Sequence, residues 1–452
     1  MSLFVGTQCR AFGSITRRVA RGRGLNAVRK FPVTQRTTRS YATSLETDWR
    51  GFVLANNGSG KESRTRLSKL WLRDNCRCDE CVNQDTMQRN FDTFEVPQNV
   101  EAKDIKQSSE GVEVLWSDSH KSWYTWDWLL STVPGNEKYS RLSHEADKTM
   151  WDCSIAQRAP EVSFDDVMAG NNTRGMADLT SKIYTYGLCF VAGTPKTPEA
   201  TNSLLERIGP VRHTHYGGFY DFVPDLAKAD TAYTNLALAA HTDTTYFTEP
   251  AGLQAFHMLS HTPPPNSTGA EGALGGQSLL VDGFNAAQLL RKESPNDYDV
   301  LRSVNIPWHA SGNEGVAIAP DRAYPVLEAR GEALQRVRWN NDDRGVVPLT
   351  VDVDEWYRAA RKWNEILRRK QSEFWFQLEP GRVLIFDNWR VLHGRSAFEG
   401  LRRICGGYSE FLSTASDPLL TNWAVNRDDF ISRWKTSNFP SQEVIGSNMQ
   451  LK

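Results

Sequence analysis

Two short segments far apart in the chain, His241-Thr242-Asp243 and His393-Gly394-Arg395, carry two imidazoles and one carboxylate. In an extended strand residues i and i+2 share a face, so His241 and Asp243 can reach one ion from a single strand. His393 then completes a triangle. Two histidines and a carboxylate on one side of iron(II) leave coordination positions open for a co-substrate and oxygen, which is what oxygenation requires. The H-x-D pattern alone recurs by chance, and a solvated turn with a structural histidine is the plain alternative.

A second constellation lies near the start. Cys76, Cys78 and Cys81 form C-x-C-x-x-C, and His120 follows downstream. Three thiolates and one imidazole make a closed tetrahedral zinc site of the structural kind. Incidental buried thiols are the alternative on spacing alone. The seven cysteines of the chain do not read as a disulfide framework.

These side chains need strands and turns to aim them. Ala237 to Ala240 reads as a buried strand leading into His241, with Tyr246-Phe247 at its exit. Arg382 to Phe386 is a further apolar strand, and Asp387-Asn388-Trp389-Arg390 a polar turn before His393. From Asp354 to Leu367 the positions Trp356, Ala360, Trp363 and Leu367 recur at helical spacing, which predicts a helix packed on a sheet.

The motif of H-x-D, a long gap, then a distal histidine followed by arginine resembles the TauD-type 2-oxoglutarate dioxygenases. The runs Trp71-Leu72-Arg73-Asp74-Asn75-Cys76-Arg77-Cys78, Val281-Asp282-Gly283-Phe284 and Asp387 to Arg395 are similar to the carnitine-pathway hydroxylases of that family, over about residues 65 to 415. The resemblance implies a mainly β fold with flanking helices: a double-stranded β-helix (jelly-roll) of two packed sheets, buttressed by helices on one side. It also implies a small zinc-binding N-terminal β domain, with Trp116, Trp123, Trp126 and Trp128 supplying much of its core.

The same resemblance implies site residues. His241, Asp243 and His393 hold iron. Arg402 pairs with the far carboxylate of 2-oxoglutarate through its planar donor fork, with Ser278 nearby, and strand alternation turns Arg403 to solvent. Tyr216, Tyr220, Tyr233 and Tyr408 align with a cage for a quaternary ammonium group, which aromatic faces attract by about 0.5 to 2 kcal/mol each. Each tyrosine taken singly also reads as core. Asp230 stands where butyrobetaine enzymes have asparagine, and Thr244 where they place an aromatic residue. With Asn340 for the α-carboxylate, Asp230 favours ε-N-trimethyllysine over γ-butyrobetaine as substrate. Asp230 as a turn cap is the alternative. Ascorbate as iron reductant and a homodimer are family expectations. A γ-butyrobetaine hydroxylase, a zinc hydrolase and a non-catalytic quaternary-ammonium-binding protein are the rival readings.

The first 45 residues hold nine Lys or Arg and no acid before Glu46, the composition of a mitochondrial targeting leader. Arg39-Ser40-Tyr41-Ala42 resembles a cleavage pattern, with a disordered basic arm as the alternative. Removing the leader takes the formal charge from -1 to -10, so an acidic matrix protein without a nucleic-acid partner is expected. No apolar run is long enough to cross a bilayer. The expected organisation is 1–45 leader, 46–145 zinc-binding domain, 146–160 linker, 161–425 dioxygenase domain and 426–452 tail, with Pro134 to Thr149 a polar connector. The stretch from Thr262 to Gly276 reads as a long loop.

Overall fold

The computed structural model describes residues 43–48, 50–56, 63–133, 148–170, 174–212, 218–222, 235–264, 274–310, 318–406 and 427–439. Residues 1–42 of the expected leader and most of the Pro134–Thr149 connector lie outside these residues, as do 265–273 of the long loop and the C-terminal end of the chain; residues 43–45, expected in the leader, instead open the first strand, with Leu45 buried in the core.

Residues 43–133 build two antiparallel three-stranded sheets. The first contains β1 (Thr43–Asp48), β2 (Gly51–Asn56) and β3 (Ser63–Leu67); the second contains β4 (Ala102–Gln107), β5 (Gly111–Trp116) and β6 (Lys121–Thr125). Their shared core gathers Phe52, Leu54, Leu72, Val112, Val114, Trp116 and Tyr124. Trp126 and Trp128 are half-buried against it. Trp123 departs from expectation, being 45% exposed. The period of two along β6 sends Ser122 and Tyr124 inward and Trp123 outward, where its ring covers Gly111.

The larger part holds two sheets. Its strands are β7 (Glu161–Ser163), β8 (Leu188–Ala192), β9 (Tyr220–Phe222), β10 (Leu238–His241), β11 (Leu253–Thr262), β12 (Ser278–Asp282), β13 (Leu327–Arg330), β14 (Ala333–Val337), β15 (Phe374–Phe376), β16 (Arg382–Asp387), β17 (Val391–Arg395) and β18 (Leu401–Gly406). One sheet runs β10-β17-β12-β15; the other runs β7-β8-β16-β11-β18-β9, while β13 and β14 form a separate hairpin. All pairings are antiparallel except β7 with β8.

Between the two sheets lie Phe190, Met258, Leu280, Phe374, Leu384, Phe386 and Val391. The other face of β16 sends Val383 and Ile385 to the helices Arg174–Tyr186, Pro198–Ile208 and Arg427–Asn438. Burial on both faces explains why β16 is a continuous apolar run rather than an alternating one. A second helical layer, Gly283–Glu293, Pro295–Ser303 and Val353–Leu367, covers Leu279, Val281 and Leu392 of the smaller sheet. Helices therefore cover both outer faces, not one as expected, because each sheet has an apolar outer face to bury.

The helix Val353–Leu367 matches its sequence expectation within one residue. Asp352 caps it, its carboxylate accepting from the Glu355 amide at 2.9 Å. Trp356, Ala360, Trp363 and Leu367 are buried along one stripe.

Candidate active site

The register of β10 against β17 sets His241 directly opposite His393, and the two ring centroids lie 4.3 Å apart. Cross-strand pairing is thus what joins the distant halves of the motif. Asp243 reaches the pair by a route unlike the expected single strand. β10 ends at His241, and Thr242 turns aside to exchange hydrogen bonds with the backbone of Trp339, its amide donating to the Trp339 carbonyl at 2.7 Å. Thr244 then takes a left-handed φ of 56°, a costly conformation for a β-branched residue. Its buried hydroxyl accepts from Ala251 N at 2.7 Å and donates to the Asp243 carbonyl at 2.8 Å. Thr244 therefore serves the loop.

The chain leaves the strand so that Asp243 points back between the imidazoles. Its Oδ1 lies 3.3 Å from His241 Nε2 and its Oδ2 3.4 Å from His393 Nε2. One donor atom from each of the three residues falls within 4.8 Å of the others. His241 Nδ1 donates to the Ala239 carbonyl at 2.8 Å, which leaves the Nε2 lone pair for a metal. Burial pushes the Asp243 carboxyl up, but the two imidazoles outweigh it and hold it well below the usual range. Burial lowers His241, and the Asp243 carboxylate more than reverses this, giving about 8. His393 is pulled down by burial, against the attraction of Asp243. An anionic oxygen between two imidazoles fits a divalent cation with open positions.

Two residues that sequence reasoning passed over complete this arrangement. Gln254 Nε2 donates to Asp243 Oδ2 at 2.5 Å. Asn388 Oδ1 accepts from the Asp243 amide at 2.8 Å, and its Nδ2 donates to the carbonyls of Asp243 and Ala251, each at 3.0 Å. A lone polar residue inside the apolar run Leu253-Gln254-Ala255-Phe256 was the available signal for Gln254.

Arg402 is buried on β18 opposite His261, while Arg403 faces solvent and pairs with Asp221. The alternation expected for this strand holds. A Cβ at Gly276 would stand 3.6 Å from Arg402 Nη1. Gly276 leads within two residues to Ser278, which is buried opposite Arg395, two positions along β17 from His393. Asn340 lies beside the motif through its neighbour Trp339. Its amide donates to Asp343 at 2.9 Å and its side-chain oxygen accepts from the Asp342 amide at 3.1 Å. The cage residues Tyr216, Tyr233 and Tyr408, the Tyr220 side chain and Asp230 lie outside the described residues.

In the N-terminal unit the cysteine cluster converges with His120. Nε2 of His120 lies 3.2, 3.5 and 3.4 Å from the sulfurs of Cys76, Cys78 and Cys81, and the Cys76 and Cys78 sulfurs are 3.6 Å apart. Tetrahedral zinc with Zn–S near 2.3 Å and Zn–N near 2.0 Å has S···N edges of about 3.5 Å and S···S edges of about 3.8 Å. The donors stand where zinc needs them. A hydrogen bond from Cys81 holds the Cys76 thiol down to about 4, against burial. Arg73 Nη1 lies 3.5 Å from Cys81 Sγ and its Nε 2.9 Å from Asp118.

Comparison with known proteins agrees with this geometry. Residues 150–408 match the taurine catabolism dioxygenase TauD, TfdA family, and residues 58–130 match the gamma-butyrobetaine hydroxylase-like N-terminal family. Trimethyllysine dioxygenase of Neurospora crassa is 53% identical over 411 residues, 84% of this chain and 83% of the relative. The Meyerozyma guilliermondii protein of that name is 36% identical over 416 residues, 89% and 97% of the two chains. Mitochondrial trimethyllysine dioxygenase of Homo sapiens is 38% identical over 363 residues, 77% and 82%. The family match and these relatives are those of a 2-oxoglutarate-dependent dioxygenase. The chain belongs to the TauD, TfdA family, in its trimethyllysine dioxygenase branch.

Proposed function

We propose that this dioxygenase hydroxylates ε-N-trimethyllysine at C3, giving 3-hydroxytrimethyllysine, the first step toward carnitine. The observation that carries the chemistry is the convergence of His241, Asp243 and His393 across β10 and β17; similarity to the trimethyllysine dioxygenases supports the substrate. Iron(II) held by His241, Asp243 and His393 would supply the redox chemistry by which dioxygen gives one oxygen atom to succinate, as 2-oxoglutarate loses carbon dioxide, and the other to the hydroxylated product.

The chain's own residues bind and orient. His241 and His393 offer neutral ring nitrogens and Asp243 an anionic oxygen. The Arg402 guanidinium grips the far carboxylate of 2-oxoglutarate by two parallel hydrogen bonds, with Ser278 beside it. Tyr216, Tyr220, Tyr233 and Tyr408 surround the trimethylammonium head, which has no strong donor to satisfy. Asp230 and Asn340 hold the amino-acid end, so that C3 is fixed before reaction. The two outer-face helical layers keep the sheets, and hence the ligand register, in place.

The reading extends to the whole chain. The larger part is a double-stranded β-helix, and the Cys76, Cys78, Cys81 and His120 cluster holds a structural zinc that staples the N-terminal unit. The protein works as a homodimer in the mitochondrial matrix, with ascorbate returning iron to its ferrous state.

Anaerobic reconstitution with iron(II) and 2-oxoglutarate, then oxygen with trimethyllysine or γ-butyrobetaine, tests the proposal by product mass. Hydroxylated trimethyllysine supports it. Turnover of γ-butyrobetaine alone overturns the substrate assignment, and no oxygen-dependent succinate with either overturns the chemistry.

A further inference from the structure

Gln254 sits in the middle of β11, between Leu253 and Ala255, and all three are fully buried. An amide placed there costs free energy unless its polar atoms are bonded. Its neighbours on both sides are apolar and its register partner across the sheet is Phe386, so local packing calls for a hydrocarbon. The amide instead donates across the space between the two sheets to Oδ2 of Asp243. A carboxylate can only accept, so the amide must present its N–H.

Asn388 fixes the backbone of Asp243 on both sides, through its N–H and its carbonyl. That leaves the rotation of the carboxylate about its own bond undecided. The Gln254 amide restrains that rotation through its hydrogen bond to Oδ2. With Oδ2 held by the amide, Oδ1 stands 3.3 Å from His241 Nε2 and Oδ2 3.4 Å from His393 Nε2.

We infer that Gln254 is a positioning residue for the metal centre: by holding Oδ2 of Asp243 it fixes the rotation of the carboxylate between His241 and His393, where an ion would bind. A carboxylate free to rotate binds less firmly or closes over a position that the co-substrate needs. The inference rests on the metal centre proposed above.

The test uses the full chain and Mn(II), a hard cation suited to this donor set and poorly suited to thiolates. Binding is read from loss of the free-ion paramagnetic resonance signal, with no co-substrate and no turnover. Gln254→Met is expected to weaken Mn(II) binding roughly 10- to 100-fold, the range for outer partners of metal ligands. Gln254→Asn, which keeps an amide but shortens its reach, is expected to weaken binding in the same direction, so a poorly folding Met variant does not end the test.

In an Asp243→Ala background the Gln254 change is expected to have no further effect, since the carboxylate through which it acts is gone. Unchanged Mn(II) affinity in both Gln254 variants overturns the inference and leaves the metal centre standing. So does an equal loss in the Asp243→Ala background, which marks a merely structural effect. A wild-type chain that binds no Mn(II) overturns both together.

Discussion

Asn388 closes a ring of hydrogen bonds on Asp243, taking its amide proton at 2.8 Å and giving one to its carbonyl at 3.0 Å across 145 positions of sequence. One side chain in the turn before His393 thereby fixes the segment that carries the other two ligands. Asn388→Ala leaves the Asp243 amide and the carbonyls of Asp243 and Ala251 without this partner inside the protein. A loss of about 3 kcal/mol is expected from denaturant unfolding, since the Asp243 amide and the Ala251 carbonyl lose this partner at about 1 to 3 kcal/mol each, while the Asp243 carbonyl keeps the Thr244 hydroxyl. Asn388→Asp is expected to be no milder, because a carboxylate cannot donate to either carbonyl.

Arg390 and Asp282 form a fully buried ion pair at 2.7 Å, next to the metal strand β17. The guanidinium also donates to the carbonyls of Thr149 and Thr185, while Asp282 accepts from the amides of Trp151 and Phe284. Removing one partner strands a buried charge. Arg390→Met is expected to destabilise by about 3 to 5 kcal/mol. Adding Asp282→Asn should restore part of that in thermal unfolding.

With the proposed zinc on Cys76, Cys78, Cys81 and His120, its removal should act on the N-terminal unit first. That unit has a small core, and its cysteine cluster lies against Val82 and against Phe91, which also packs on that core. Chelation, or Cys78→Ser, is expected to release about one zinc per chain and disturb near-ultraviolet signals from Trp71, Trp116 and Trp128. Zinc analysis and circular dichroism read both effects.

His257 provides a pH test away from the metal ligands. It is fully buried, with Nδ1 2.7 Å from the Thr201 hydroxyl and Nε2 accepting from Gly381 N at 3.0 Å. Burial pushes it down to about 4 from an ordinary 6.5. The unfolded chain therefore binds a proton that the folded chain refuses across this window. The stabilising contribution is complete above pH about 6.5 and is lost as pH falls to about 4, roughly 3 kcal/mol in all. His257→Gln is expected to be less stable at neutral pH but to show a shallower decline between those limits in urea titrations.

In the proposed function Asp230 sets substrate choice. A charge-assisted hydrogen bond to the α-ammonium of trimethyllysine is worth about 1.5 to 3 kcal/mol. Asp230→Asn is expected to lower kcat/KM for trimethyllysine relative to γ-butyrobetaine by roughly tenfold to a hundredfold. Competition between the two substrates measures the ratio, and an unchanged ratio removes Asp230 from the argument.

Local periodicity made parts of the fold legible. The helix Val353–Leu367 and the opposed directions of Arg402 and Arg403 follow from spacings of 3.6 and 2 residues. Trp123 was misplaced because its type suggests burial while its position in β6 dictates exposure. The helical cover on both sheets follows from the number of apolar sheet faces, which strand pairing decides and local periodicity does not.

The residues themselves determined the donor chemistry: two imidazoles and a carboxylate in one cluster, three thiols and an imidazole in another, each of a kind that could hold a metal ion. Only the tertiary structure decided that Asp243 leaves the strand through a left-handed Thr244 and is held by Asn388 and Gln254. A side chain's chemical type is a property of one position. The direction in which it is held depends on partners 11 and 145 positions away, and neither separation leaves a period in the sequence.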